Sequence, residues 1–201
     1  MKLYYSPGAC ALASQIILRE ANLKFDLVKT DLKTKQTANG DFKKVNPKGY
    51  IPVLELDTGE VLTEGAAILQ WIADQVPEKN LVPRWGTKER YKALEWLNFI
   101  ATELHKGISI FFSPEVKDEV RESLLKKLHL RLEVLDQHLR SNTFILGNGF
   151  TVADAYAFNI LRWTQLLKID ISSYASILRL METVSTRDSV RAAIAAEGLK
   201  G

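Results

Sequence analysis

Cys10 is the chain's single cysteine, and it stands where the residue pattern changes period. Before it, Lys2-Leu-Tyr-Tyr5 is short and aromatic and Ser6-Pro-Gly8 interrupts it, which reads as a strand entering a turn. After it, Ala13, Ile16, Ile17 and Ala21 recur at helical spacing, with Arg19 and Glu20 left for water, so Cys10 lies at or just before a helix N-terminus. A sulfur there faces unpaired backbone N–H groups and the positive end of the helix dipole, and both favour the nucleophilic thiolate. The competing reading is that a free cysteine packs as a small hydrophobe. Cys10-Ala-Leu-Ala13 keeps the first position of a Cys-x-x-Cys pair but has alanine at the second. Any second thiol must therefore arrive with a ligand.

Three further places carry candidate chemistry. In Asn46-Pro-Lys-Gly-Tyr-Ile-Pro-Val53, a cis Ile51–Pro52 bond would turn the Ile51 N–H and C=O toward an extended peptide, whereas an ordinary trans proline would merely open a strand. In Leu62-Thr-Glu64-Gly65, a helix starting after Glu64 offers N–H groups to a carboxylate while Glu64 attracts an ammonium, so one amino-acid zwitterion satisfies both. Alternatively Glu64 only complements the helix dipole. Farther on, Asn98 and His105 each lie one position past an apolar seam residue and share one edge of a long helix. Glu103 lies about 200° around that helix from His105, at roughly 100° per residue, so it does not serve the same pocket within one subunit. A lone helical histidine is otherwise a boundary residue, and His129 and His138 read as surface.

These residues need a scaffold. Phe25 begins a second strand; Val53-Leu-Glu-Leu56 and Val61-Leu-Thr63 form a hairpin around Asp57-Thr-Gly59; Ile68, Trp71 and Ile72 give a helix its apolar face before Pro77. Residues 77–86, with two prolines, a glycine and several charges, mark the best boundary, separating domains at 1–78 and 86–201. Beyond it Leu94, Leu97, Ala101, Leu104, Ile108 and Phe111, then Leu125, Leu128, Leu132, Leu135 and Leu139, alternate steps of three and four, as two long amphipathic helices do. Thr151 and Asp154 have the spacing of a helix capping box.

At 201 residues with 46% hydrophobic and 25% charged residues, the chain has the composition of a packed globular protein. A net charge of only +3 leaves no electrostatic footprint for nucleic acid. Cys10, His105, His129 and His138 do not match metal-ligand spacing, and no apolar run approaches the roughly 20 residues of a membrane span. Pro7 and Gly8 break the apolar start, so a cleaved signal peptide is not expected.

Taken in order, Met1-Lys-Leu-Tyr-Tyr-Ser-Pro-Gly-Ala-Cys10, Asn46-Pro-Lys-Gly49, Pro52-Val-Leu54, Leu62-Thr-Glu-Gly65, Glu95-Trp-Leu-Asn98, Glu103-Leu-His-Lys-Gly107 and Phe150-Thr-Val-Ala-Asp-Ala-Tyr156 resemble the beta class of bacterial glutathione S-transferases across nearly the whole chain. The resemblance implies a thioredoxin-like N-terminal domain (β-α-β-α-β-β-α), an all-helical C-terminal domain, a cis bond before Pro52, and a cytoplasmic homodimer. It implies a glutathione site in the cleft between domains, with Cys10 beside the glutathione sulfur, Ile51 pairing its backbone with the cysteinyl moiety, Glu64 and Gly65 at the γ-glutamyl end, Lys35 near the glycyl carboxylate, and Ala9 and Pro52 among the glutathione-binding residues. Asn98, His105 and Lys106 line the site from the helical domain, with His105 orienting a sulfur or exchanging its proton, and Glu103 reaches the neighbouring subunit's ligand. Ala11 stands where several relatives have serine, so that hydroxyl is missing.

The activity implied is conjugation of reduced glutathione, as co-substrate and without a cofactor, to small hydrophobic electrophiles. Two alternatives differ in chemistry: a glutathione-dependent disulfide reductase working through a Cys10 mixed disulfide, and a non-catalytic carrier using Phe111, Phe112 and Trp163. Neither nucleic acid nor a membrane is an expected partner.

Overall fold

The computed structural model describes residues 1–147 and 149–199. They form two compact units, Met1–Asn80 together with the chain from Thr186 onward, and Leu81–Ser185. In the first unit, β1 (Lys2–Tyr5) runs parallel to β2 (Asp26–Asp31), Leu3 opposite Leu27, and the two are joined by helix α1 (Ala11–Glu20). A parallel pair requires such a crossover. Two-residue strands β3 (Gln36–Thr37) and β4 (Gly40–Asp41) extend one edge, while β5 (Val53–Glu55) pairs antiparallel with β1 and β6 (Val61–Thr63) with β5, giving the order β4-β3-β2-β1-β5-β6. Where the sequence resemblance implies a helix between the second strand and the hairpin, the chain makes β3, β4 and a single 3-10 turn, Phe42–Lys44. Asp41 caps that turn through the Lys43 N–H at 2.9 Å, and Pro47 disfavours its extension.

Residues 11–18 of α1 are all buried, as expected of a helix with apolar side chains on every face. Helix α2 (Gly65–Asp74) packs on it with one stripe, Ile68, Leu69 and Ile72, each fully buried and each contributing about 1.5–3 kcal/mol of hydrophobic stabilisation. The packing of these two helices fixes the positions of their N-termini, where Cys10 and Glu64 stand.

The second unit is helical: α3 (Lys88–Phe99), a π-helical segment Ile100–His105, α4 (Lys106–Ser109), a 3-10 turn Ile110–Phe112, α5 (Asp118–Leu139), α6 (Val152–Leu166) and α7 (Ala175–Ser185). Twelve residues of α6 are buried, which makes it the core helix. Its start is the capping box expected from Thr151 and Asp154. The Asp136 carboxylate of α5 accepts from the Ser176 and Ile177 N–H groups at 2.8 and 3.2 Å, so α7 is capped from another helix. Arg90 is fully buried, donates to the Pro83 carbonyl at 3.0 Å and lies 3.9 Å from the Trp85 ring, fixing the segment that leads into α3.

Helix α8 (Asp188–Ala196) packs on α1 in the first unit, although the sequence places its residues within 86–201, the helical domain. Glu20, at the end of α1, accepts from Arg187 Nε and Nη2 at 2.7 and 2.9 Å and from the Ser189 hydroxyl, which ties the start of α8 down. The order of helices in sequence carries no sign of this tertiary pairing.

Candidate functional site

The turn ahead of α1 is built so that Cys10 opens the helix without spending its sulfur on the cap. Gly8 has φ +75°, a conformation strained for any side chain, and its N–H reaches the Glu197 carboxylate at 2.8 Å. The Ala9 N–H bonds to the Ser6 carbonyl at 3.0 Å. Cys10 is then the N-cap residue, half-buried, with no side-chain capping bond. Its S–H donates to the Ile51 carbonyl at 3.4 Å, and the Ile51–Pro52 bond is cis. Ala11 is fully buried.

Asn46 organises the loop that delivers Ile51. Buried at 2% exposure, its amide donates to the Tyr50 carbonyl at 2.7 Å and accepts from the Lys48 N–H at 3.1 Å. Glu64 follows β6 at φ 70°, in the region that costs a non-glycine residue about 1–3 kcal/mol. The N–H groups of Ala67 and Ile68 both bond to the Glu64 carbonyl at 3.0 Å, so those of Gly65 and Ala66 lie ahead of the first intrahelical bonds. The Glu64 carboxylate accepts from Lys48 Nζ and the Tyr50 hydroxyl at 2.8 Å each, and Lys48 also reaches the Thr63 hydroxyl at 3.0 Å. Those bonds to Glu64 raise the pKa of Lys48 and of Tyr50. Lys35, at φ 59°, and Lys43 converge on Gly49: their Cε atoms lie 3.9 and 3.8 Å from where a Cβ would stand. Nothing in residue type singles out Lys48 and Tyr50 beforehand, although both lie in the Asn46-Pro-Lys-Gly-Tyr50 run.

In the second unit, the π-helical segment changes the geometry expected of the long helix. Its i→i+5 bonding adds a residue to the turn, so counting 100° per residue from Asn98 to His105 overshoots. Asn98 is exposed, its amide bonded to the Leu94 carbonyl of its own helix at 3.0 Å. His105 is half-buried against α6, with Nδ1 2.7 Å from the Tyr156 hydroxyl and its ring centroid 5.0 Å from that of Trp163. Phe112 stacks edge-on to Trp163 at 5.5 Å. Glu103 turns to α5, where Arg131 Nε donates to it at 2.8 Å, and Lys106 is exposed. His129 and His138 are not the surface residues that the sequence suggests. His129 bonds to the Tyr174 hydroxyl at 2.9 Å, and His138 bonds to the Ile145 carbonyl at 2.8 Å and lies against Trp96. Among the described residues, no group of three His, Cys, Asp or Glu is placed to hold a metal ion.

Burial, helped by the Lys106 charge, lowers the His105 pKa to about 4, so its imidazole is neutral at neutral pH. The unfolded chain binds that proton near pH 6.5 and the folded chain only near 4, so the stability due to neutral His105 is present above 6.5 and is lost as pH falls toward 4. That loss is about 3 kcal/mol. Asp154 acts in the opposite sense: burial outweighs the bonds from Ile145 and Thr151 and raises its pKa to about 6, so stability rises as pH falls from 6 toward 3.8. Urea unfolding of His105→Gln should therefore gain on wild type as pH drops from 6.5 to 4, by up to about 3 kcal/mol. A difference independent of pH contradicts this.

Residues 8–75 match the family model described as the N-terminal domain of glutathione S-transferase, and residues 99–188 match that of its C-terminal domain. Glutathione S-transferase GstA of Escherichia coli O157:H7 is 45% identical over 201 residues, covering all of both chains. The bacterial beta class glutathione S-transferase of Sphingomonas chungbukensis is similar in structure with a TM-score of 0.95, at 44% identity over the whole of both chains. A sphingomonad glutathione S-transferase solved in complex with glutathione also gives 0.95, at 41% identity over the whole of both chains.

Proposed function

The chain belongs to the glutathione S-transferase family, in its beta class, as a transferase with glutathione as co-substrate, and we propose that the surface around Cys10, Ile51 and Glu64 holds that tripeptide. Glutathione has an ammonium and a carboxylate at its γ-glutamyl end, a thiol between two amides, and a carboxylate at its glycyl end. Glu64 suits the ammonium; the Gly65 and Ala66 N–H groups, at the positive end of α2, suit the first carboxylate. Ala9, Ile51 and Pro52 meet the cysteinyl residue, and Lys35 meets the glycyl carboxylate. What supports this most is the 3.4 Å contact of Cys10 Sγ with the Ile51 carbonyl. It sets a helix N-terminus, which favours thiolate, beside the backbone assigned to the cysteinyl residue.

Within the second unit we assign a ligand-binding role to Asn98, His105 and Lys106, and to Glu103 a role toward the ligand of a second copy in a homodimer. Leu130 and Val134, 57% and 50% exposed on α5, are apolar surface suited to such a copy. The thiolate attacks a small hydrophobic electrophile, forming a carbon–sulfur bond as the leaving group departs with its electron pair. Lowering the thiol's pKa raises the reactive fraction at neutral pH, although intrinsic nucleophilicity falls somewhat with it. Among the described residues no helix is long and apolar enough to cross a membrane, and we assign the chemistry to the cytoplasm.

Turnover of reduced glutathione with a chloronitrobenzene tests the reaction; a rate no higher than the uncatalysed background overturns it. Cys10→Ala is expected to keep conjugation to within about tenfold, since the ligand supplies the nucleophile and one hydrogen bond is worth ~1 kcal/mol. The same variant should fail to take up glutathione from its disulfide. In that exchange the Cys10 thiolate attacks one sulfur of glutathione disulfide, a protein–glutathione disulfide forms, and one glutathione thiolate leaves. Mass spectrometry of the wild-type protein, whose single cysteine is Cys10, reads the adduct, and a wild type left unmodified by glutathione disulfide contradicts the assignment.

A further inference from the structure

Glu64, assigned above to the ligand's ammonium, is already bonded to an ammonium of the chain's own. Lys48 Nζ donates to Glu64 Oε1 at 2.8 Å and to the Thr63 hydroxyl at 3.0 Å, two neighbouring acceptors at the end of β6. The same Oε1 accepts from the Tyr50 hydroxyl, also at 2.8 Å. All four residues belong to the first compact unit, and the side chains of Lys48 and Glu64 are about half exposed. We propose that Lys48 is a specificity-determining residue that competes with the ligand's ammonium for Glu64, so that a γ-glutamyl ligand binds by exchanging its own cation for that of the lysine. This role rests on the glutathione reading above.

Charge decides which partner leaves. Two ammonium groups on one carboxylate oxygen repel each other, whereas the Tyr50 hydroxyl is neutral and can stay beside either. Tyr50 therefore keeps Glu64 aimed while the cations exchange. The ion pair opens readily, because an exposed pair has a modest net worth and the lysine ammonium sits on a flexible stem and hydrates well. The Lys48 backbone stays in place, its N–H bonded to the Asn46 side chain at 3.1 Å, so the exchange asks for side-chain rotation alone. A ligand whose amine is blocked by acetylation cannot pair with Glu64. With Lys48 present it leaves the ion pair intact; without Lys48 it leaves the carboxylate deprived of that cation. Lys48 thus weakens binding of the free amine and narrows the difference between the two ligands.

Calorimetric titration of the whole protein with reduced glutathione and with N-acetylglutathione reads the competition. Lys48→Met is expected to bind glutathione up to about fivefold more tightly than wild type, the upper worth of an exposed ion pair, and to bind the acetylated ligand no more tightly. Lys48→Arg keeps the charge and should not tighten binding. In a Glu64→Ala background the gain from Lys48→Met should vanish. Unchanged binding of glutathione by Lys48→Met overturns the proposal, and weaker binding overturns it by making Lys48 a partner of a ligand carboxylate. An equal gain for both ligands also overturns it, since the bulk of the lysine and not its charge would then be the obstacle. Wild type that binds no glutathione, or Glu64→Ala that binds it as tightly as wild type, instead strikes the γ-glutamyl assignment beneath and the competition with it.

Discussion

Asp154→Ala is expected to lower the unfolding free energy of the helical unit by about 3–4 kcal/mol at neutral pH. One oxygen of Asp154 accepts from the Ile145 N–H at 2.7 Å, and the other from both the N–H and the hydroxyl of Thr151 at 2.8 Å. Alanine strands all three donors in a place with almost no access to water, and each buried donor left without a partner costs about 1–3 kcal/mol. Removing a carboxylate whose burial raises its pKa to about 6 gives part of this back, which is why the full sum is not expected. Asp154→Asn should fall between, since an amide oxygen can still serve Ile145 while its NH2 faces the donors of Thr151. Denaturant unfolding followed by circular dichroism measures both, and a loss under about 1 kcal/mol for alanine, the worth of a simple helix cap, contradicts the network.

Glu64→Ala is expected to raise KM for glutathione by about 10- to 150-fold, because a hydrogen bond between charged groups is worth about 1.5–3 kcal/mol. Its kcat should change much less, since the γ-glutamyl end is remote from the reacting sulfur. Glu64→Gly sharpens the test. At φ 70° glycine avoids the strain that glutamate bears, and the bonds to Lys48 and Tyr50 that it gives up are exposed and individually weak. The glycine variant should therefore be as stable as wild type or more so, yet bind glutathione as poorly as alanine does. A variant that loses stability and keeps its KM shows instead that Glu64 is structural.

The opening of α1 was legible because Ser6-Pro-Gly8 ends a strand and apolar spacing begins directly after Cys10. The capping box was equally plain, since Thr151 and Asp154 act on their own helix. The π-helical segment was not. Ile100, Leu104 and Ile108 fit ordinary helical steps, and an extra residue in one turn leaves the apolar period nearly unchanged over so short a span. The same limit hid what holds the chemistry in place: Lys48 and Tyr50 reach Glu64 across 14 to 16 residues, and Tyr156 meets His105 across 51. Local patterning names the reactive groups, whereas the partners that orient them come from tertiary packing. Docking of α8 on α1 through Glu20 and Arg187 spans 167 residues and is of the same kind.

Backbone amide shifts recorded while reduced glutathione is added to the wild-type protein test the ligand's position most directly. Cys10, Ile51, Gly65 and Ala66 should move together and saturate with a single dissociation constant, because each lies against a different part of one tripeptide. Saturating shifts elsewhere in the chain, with those four amides unmoved, would contradict the account.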